Sequence, residues 1–462
     1  MHRCLEITEI LLEVFELVFT SESCYPDLTC LARTCQSFHR PALDVLWREQ
    51  SSFIPLVMCF PRKLLKFKVN KGGPAFTVKF AKAPSARDWE RPSVYAKCIR
   101  MMTNSGHPYT RKYELHASVL QTLLESCPST PLLPNLRHLN YNTLIGTSKA
   151  SVASLFTLFS PNLLQYLDFS LGSDDSHELL TQLPNCYPQI EFLRVSLLDR
   201  PYLNIAEYIS PLASLRHLKS LDFTLADSYF RSSSINPPNG FPSLVNLTVS
   251  CRSIIMVLHI FKAIQSTQLR DLELYFFDDV DIANIREFLA IIASRPAWRQ
   301  SMRSISLGMN ICSMTANDVR GLSIFYHLRR LDLHNTGLVL DDHLLDDMAK
   351  AWPMLEKLSI TNSHLRIPSK ATLNGLVPFS KHCPHIATLR LQLNATKVPA
   401  PDNSTDASRD ESREGDRTVV LLCIQATSDI SDPPSLMSFL LNLFPRNTLF
   451  FTNQCGGRVP FF

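Results

Sequence analysis

Two short runs in this chain have the residue types and spacing that could hold a metal. DDHLLDD at 341–347 sets His343 and Asp347 four residues apart, on one face of a helix, and HCPH at 382–385 brings His382, Cys383 and His385 together. Each run also has a plainer use. Acidic residues in the first turn of a helix stabilise its dipole, and Cys383 falls at a helix-to-strand junction, where a small apolar side chain packs inward. For the second run, a tetrahedral zinc site also needs a fourth ligand, which nothing marks. No G-x-S-x-G elbow or H-E-x-x-H run occurs, and Gly72-Gly73 lacks the spacing and terminal Lys-Ser/Thr of a P-loop. A triad assembled from distant residues leaves no motif, so an enzyme built on a repeat scaffold stays as a remote alternative. The expectation is a non-enzyme with no cofactor and no metal.

The elements that would position such groups carry more information than the groups themselves. The chain has 462 residues, 45% of them apolar and 19% charged, which is enough for a large core. Net charge is +4, without the strongly basic balance of a nucleic-acid binder, so no nucleic-acid partner is expected. The thirteen cysteines are scattered and form no C-x-x-C pair, which favours reduced thiols and a cytoplasmic or nuclear location. Glu6, Glu9, Glu13 and Glu16 interrupt the first apolar stretch, so it does not read as a signal peptide. No apolar run reaches the length of a membrane span, so no membrane partner is expected either.

Near the amino terminus, Ile7, Ile10, Leu11, Val14, Phe15 and Val18 recur at helical spacing. Asp27 is placed to cap a second helix running through Leu28, Leu31 and Ala32 toward Cys35. Pro41 suits the first turn of a third, RPALDVLWR. Three helices in so short a stretch bury little area alone and lean on a partner.

The strings EITEILLEVF and LTCLARTCQSFHRPALDVLWRE resemble the F-box of fungal F-box proteins: an Ile-Leu helix, a Leu-Ala-x-x-Cys-x-x-aromatic segment, then Pro-Ala-Leu-Asp-x-Leu-Trp. That resemblance implies a substrate receptor of a Skp-cullin-F-box ubiquitin ligase. It carries Ile7, Ile10, Leu11, Phe15, Leu31, Cys35, Phe38, Leu46 and Trp47 over to the contact with a Skp-type adaptor, and through the adaptor to cullin. Thr8 stands where the family pattern has proline. Its hydroxyl can cap the helix, but the turn is less preorganised. The segment PSARDWERPSVYAKCIRMM at 84–102 is similar to the linker after the box in such proteins, with Trp89, Tyr95 and Ile99 suited to seal one end of a repeat array. FTVKFAKA at 76–83 reads as a short strand.

From residue 131 the chain repeats. An L-x-x-L-x-L unit recurs ten times, and its second apolar position falls at 139, 167, 193, 221, 247, 272, 305, 331, 358 and 389. Steps of 25 to 33 residues lie in the leucine-rich-repeat range, and spacers such as IREFLAIIASRP and DDHLLDDMAKAWP read as helices. The predicted fold class is α/β: a three-helix F-box at 4–50, a linker and cap at 51–130, and a leucine-rich-repeat solenoid at 131–395 with a parallel concave sheet and convex helices. A polar loop expected to be disordered occupies 396–418, before a terminal repeat and tail at 419–462.

Alternation turns Asn140, Asp168, Arg194, Asp222, Glu273, Tyr275, Asp332 and His334 toward the open face of the strands. Arg194, Glu273, Tyr275, Arg330, His334, Lys357 and Arg390 are the candidate contacts to a protein substrate. Arg330, His334, Lys357 and Arg390 cluster in the last three repeats, where an acidic or phosphorylated segment could meet them. The alternative function is a protein-interaction module with no part in ubiquitination.

Overall fold

In each repeat the two apolar residues of x-L-x-L can be buried only if the strand lies against a layer that covers one of its faces, and the spacer helices supply that layer. A computed structural model of the protein describes residues 7–20, 24–70, 76–103, 112–140, 158–171, 176–197, 202–225, 229–231, 239–310, 312–362, 369–399, 420–426, 432–444, 447–453 and 458–460. The architecture is α/β, with parallel sheets flanked by helices. The chain divides into two units, residues 1–198 with 214–218, and residues 199–213 with 219–462.

The first unit begins with three helices, α1 (Thr8–Phe19), α2 (Cys24–Thr34) and α3 (Gln36–Arg48). They close around Leu11, Phe15, Leu28, Ala32, Ala42 and Val45, with Leu12, Val18, Leu31, Phe38 and Leu46 packed at the margin. Phe38 meets Phe15 edge-to-face at 5.4 Å, and Arg48 forms an ion pair with Glu16, which fastens α3 to α1.

The helix starts differ from those expected. Ile7 is the N-cap of α1 and makes no side-chain cap bond, so Thr8 is the first helical residue rather than a cap. α2 begins at Cys24, which puts Asp27 inside its first turn, where the carboxylate favours the dipole. α3 begins at Gln36 with Cys35 as its N-cap, and Pro41 sits inside the helix instead of opening it. A buried Pro41 forgoes one intrahelical bond, to Ser37, near the start of the helix.

Beyond α3 the chain enters a sheet earlier than the repeats suggest. Strands Glu49–Gln50, Met101–Met102, His138–Asn140, Tyr166–Leu171 and Phe192–Leu197 pair side by side, all parallel. A separate three-stranded sheet joins Leu65–Val69 antiparallel to Phe76–Phe80, which pairs in parallel with Tyr113–Leu115. Trp89 and Ile99 of the linker are buried, and Trp89 packs edge-to-face on Phe60 at 4.9 Å.

Among the described residues of the second unit, nine strands follow one another in parallel in one sheet, from Ser220–Leu225 through Asn246–Cys251, Asp271–Phe276, Ser304–Gly308, Arg330–His334, Lys357–Thr361, Thr388–Leu393 and Val420–Ala426 to Asn447–Asn453. The repeat ruler is the register. Leu139 pairs with Leu167 and Leu167 with Leu193 in the first unit. In the second, Leu221, Leu247, Leu272, Ile305, Leu331, Leu358 and Leu389 pair in turn, and the ladder continues to Leu422 and Leu449. Among the described residues, the 419–462 stretch therefore adds two parallel strands to the same sheet. The second, at Asn447–Asn453, lies in a segment with no periodicity legible in sequence, and Arg458–Pro460 folds back antiparallel to it.

Between strands, helices such as Ile282–Ala293 and Asp342–Ala351 bury one face each, while Ile254–Ala263 exposes only Ile255 and Lys262; Asp281, Asp341 and Ser253 are their side-chain N-caps. One turn depends on glycine: Gly337 has φ +67°, and a Cβ there would lie 2.0 Å from the Cys312 carbonyl oxygen. Buried Asn362 holds that turn by accepting from the Gly337 N–H at 3.1 Å and donating to the Leu338 carbonyl at 3.2 Å. Of the 396–418 loop, residues 400–418 lie outside the described residues, as do residues 4–6, Gly72-Gly73 and most of SVASLFTLFSP. No helix among the described residues is long and apolar enough to cross a membrane.

Candidate functional site

α1 is apolar on two faces. Leu11 and Phe15 are 1% exposed and belong to the core of the three-helix module. Ile7, Ile10, Val14 and Leu17 are 47%, 37%, 40% and 72% exposed. Their spacing of three, four and three residues makes one continuous stripe along the outer side of the helix, bordered by exposed Glu9 and Glu13. Periodicity groups Ile10, Leu11 and Phe15 on one face, but the structure separates them. A residue with 1% exposure has its apolar surface already covered inside the module, so Leu11 and Phe15 shape the site from beneath while Ile7 and Ile10 reach its surface. An apolar stripe on the outside of a closed small module is surface available to a partner.

The remaining residues expected at this site divide in the same way. Phe38, Leu31 and Leu46 are half-buried against the module's core. Cys35 is half-buried at the N-cap of α3, its Sγ 3.1 Å from the Ser37 hydroxyl. Trp47 turns away from the others and stacks on Tyr95 of the linker helix Glu90–Ala96, with centroids 4.4 Å apart. Trp47 thus joins the module to the linker.

A second surface is the open face of each sheet. In the first unit Asp168 accepts from the Asn140 amide at 3.0 Å and lies 3.7 Å from the Arg194 guanidinium, so Arg194 is held by a neighbouring strand. Beside this polar row runs an aromatic one: His138 stacks on Tyr166 at 5.6 Å, and Tyr166 lies 6.4 Å from Phe192, which is exposed. The register alone creates this column, since the three residues occupy the same place on three paired strands. They also occupy the same place in LRHLNY, LQYLDF and IEFLRV, which is the signal by which the sequence could have disclosed them.

In the second unit, Tyr275 lies over Gly308 of the next strand, where a Cβ would come 2.5 Å from the ring, and its hydroxyl is 3.3 Å from that of Ser306. Burial pushes the Glu273 carboxyl above its usual range, and Asp222, Asp271 and Asp332 add to the shift while Lys357 opposes it. Lys357 is engaged by Asp332 at 2.9 Å, and His334 shares a 2.8 Å hydrogen bond with the Thr361 hydroxyl. Burial also lowers the His334 pKa, with Lys357 and Arg390 assisting against Asp332, which favours the neutral ring. Arg330 and Arg390 are exposed. Arg330, His334, Lys357 and Arg390 do lie on adjacent strands, but Lys357 is paired with Asp332 and His334 is hydrogen-bonded to Thr361.

The runs that suggested metal chemistry are occupied otherwise. Asp341 caps its helix through the Leu344 N–H at 2.7 Å, Asp342 accepts from the Thr372 hydroxyl at 2.7 Å, and Asp347 pairs with Arg320 at 2.8 Å. Cys383 is buried, its Sγ 3.5 Å from the carbonyls of Ala349 and Trp352, and burial pushes its thiol up to about 12. Among the described residues no group of three or more His, Cys, Asp or Glu side chains could hold a metal ion.

No protein-family model matches the chain. No curated protein matches it either.

Proposed function

We propose that this chain is a substrate receptor of a Skp-cullin-F-box type ubiquitin ligase, in which residues 4–50 act as the F-box and the repeats as a leucine-rich solenoid that holds a protein substrate. The observation that carries this reading is the outer stripe of α1. Ile7, Ile10, Val14 and Leu17 remain exposed on a module whose own core is already closed by Leu11, Phe15, Leu28 and Val45. Such a patch has the chemistry of the central part of a protein interface. The occupant is a Skp-type adaptor, and through it cullin.

The repeats support the other half of the reading. Parallel strands in one register, covered by helices on one side, leave an open face of mixed charge and aromatic character. Such a face suits a protein surface better than a continuous phosphate backbone. The receptor needs no catalytic group of its own, because its contribution is to hold a substrate lysine near the charged conjugating enzyme. Co-expression with a Skp-type adaptor tests the reading: a stoichiometric complex should survive gel filtration for the wild type and dissociate for Ile10→Asp. Separate elution of the two wild-type proteins would overturn it.

A further inference from the structure

Between Glu49 and Asp88 the chain has eight Lys and Arg residues and no Asp or Glu. The whole chain is only +4, so the charge balance elsewhere is negative and hides this segment. Much of it folds into the three-stranded sheet of the first unit, where alternation puts Lys66, Lys68 and Lys79 on one face and Leu65, Phe67, Val78 and Phe80 on the other. Lys66 stands directly opposite Lys79, and like charges so placed destabilise a sheet. All three lysines are exposed, and none has an ion-pair or side-chain hydrogen-bond partner among the described residues.

The carboxylates nearby do not balance them. Glu114 is the one carboxylate in the three strands, opposite Thr77. Asp88 lies near Lys63 and Lys82 and already accepts from the Ser85 N–H at 2.8 Å and the Ser85 hydroxyl at 2.6 Å. At the far end of the two antiparallel strands Val69 pairs with Phe76 and is 70% exposed. This hairpin therefore carries unpaired cations and, at one end, an uncovered apolar side chain.

We propose that the lysine face and the Val69 end of this hairpin dock on a membrane surface rich in anionic phospholipid. A lysine ammonium is a compact, hydrated point charge on a flexible stem, which suits a diffuse negative potential better than a fixed phosphate fork. Val69, costly to expose in water, gains at the boundary between headgroups and acyl chains, while the lysines stay at headgroup level. A single-stranded nucleic acid fits less well, because its bases need aromatic rings on the cationic face. Here the rings lie on the opposite face and are already covered: Phe76 stacks on Tyr113 at 5.7 Å, and the Arg62 guanidinium sits 4.2 Å over Phe67. Attachment of this kind is peripheral and reversible, each lysine contributing about fivefold in affinity. The lengths of the apolar runs bear on spanning segments and not on surface attachment. The inference stands apart from the receptor reading, since it uses neither α1 nor the repeats.

The test measures co-sedimentation of the full chain with vesicles of phosphatidylcholine and with vesicles of phosphatidylcholine and phosphatidylserine in equal parts. Binding to the anionic vesicles should be at least about tenfold tighter and should weaken as salt is raised. Lys66→Gln, Lys68→Gln and Lys79→Gln together should remove the preference in a chain that melts no lower than the wild type, because the opposed lysines no longer repel. Lys66→Arg, Lys68→Arg and Lys79→Arg together should keep it, and so should Lys381→Gln in the second unit. Val69→Asp should weaken binding to the anionic vesicles. Equal binding to the two kinds of vesicle, binding unchanged in the glutamine variant or in Val69→Asp, or tighter binding of a single-stranded oligonucleotide or of polyglutamate would overturn the proposal. Ile10→Asp should keep the vesicle preference and the glutamine variant should keep the adaptor, so failure of this surface and failure of the receptor reading appear in different measurements.

Discussion

Trp47 stacks face to face on Tyr95, with ring centroids 4.4 Å apart and planes 15° from parallel. The contact joins α3 to the linker helix, and just beyond it Glu49–Gln50 pairs with Met101–Met102 to begin the sheet of the first unit. A ring stack and a short parallel ladder therefore anchor the three-helix module to the rest of the first unit.

That anchoring has a measurable size. Aromatic pairs add about 0.5–1.5 kcal/mol beyond the area they bury. Trp47→Ala, Tyr95→Ala and the double variant, compared by urea denaturation, should give a coupling energy in that range. Additive effects would show that the stack contributes nothing of its own.

The leucine ladder predicts a sharp contrast between adjacent residues. Leu331 is fully buried and paired in register with Ile305 and Leu358, so Leu331→Ala should cost about 2–5 kcal/mol. Arg330→Ala, one residue earlier and exposed, should change stability by less than about 0.5 kcal/mol. Similar losses for the two would contradict the assignment of faces.

Much of this ladder is legible in sequence, because each repeat offers two apolar residues and only one register buries both. Leu139 to Leu389 emerge from counting. The first leucine of each unit misleads by two residues: Leu328 lies in the turn, its N–H bonded to the Phe325 carbonyl, and the strand starts only at Arg330. Helix starts are less legible. Thr8, Asp27 and Pro41 are residue types that favour helix ends, but neighbouring backbone decides where the end falls, and here each lies inside its helix. The faces of α1 cannot be read from periodicity at all. Leu11 and Ile10 are adjacent and equally apolar, and only the positions of α2 and α3 determine which is covered.

Acid stability should depend on Asp318. Burial acts to raise its pKa, but hydrogen bonds from Arg286 and Thr315 outweigh it and leave the carboxyl below its ordinary range. A carboxyl depressed in the folded state stabilises the fold above its unfolded pKa, and that stabilisation is lost as pH falls through the folded value. Arg286→Gln removes one support, so the acid-unfolding midpoint monitored by circular dichroism should move to higher pH. An unchanged or lower midpoint would count against this role for Asp318.

Gly337 should resist replacement. With φ at +67° and the Cys312 carbonyl oxygen 2.0 Å from where a Cβ would sit, Gly337→Ala combines backbone strain with a clash. It should lower stability by more than about 1 kcal/mol, the scale of the gain such changes bring at compatible sites. A thermal midpoint equal to that of the wild type would refute it.

If the outer stripe of α1, and not its buried side, meets a Skp-type adaptor, titration calorimetry of purified adaptor against matched variants will show it. Ile10→Asp combined with Val14→Asp should retain the wild-type circular dichroism and melting temperature yet lose affinity by about a hundredfold or more, as expected when two interface anchors are removed. Leu11→Ala should first lower the melting temperature, because it opens the core of the module. Unchanged affinity in the outer-stripe variant, or no binding by the wild-type protein, would show that the outer stripe of α1 is not an adaptor contact.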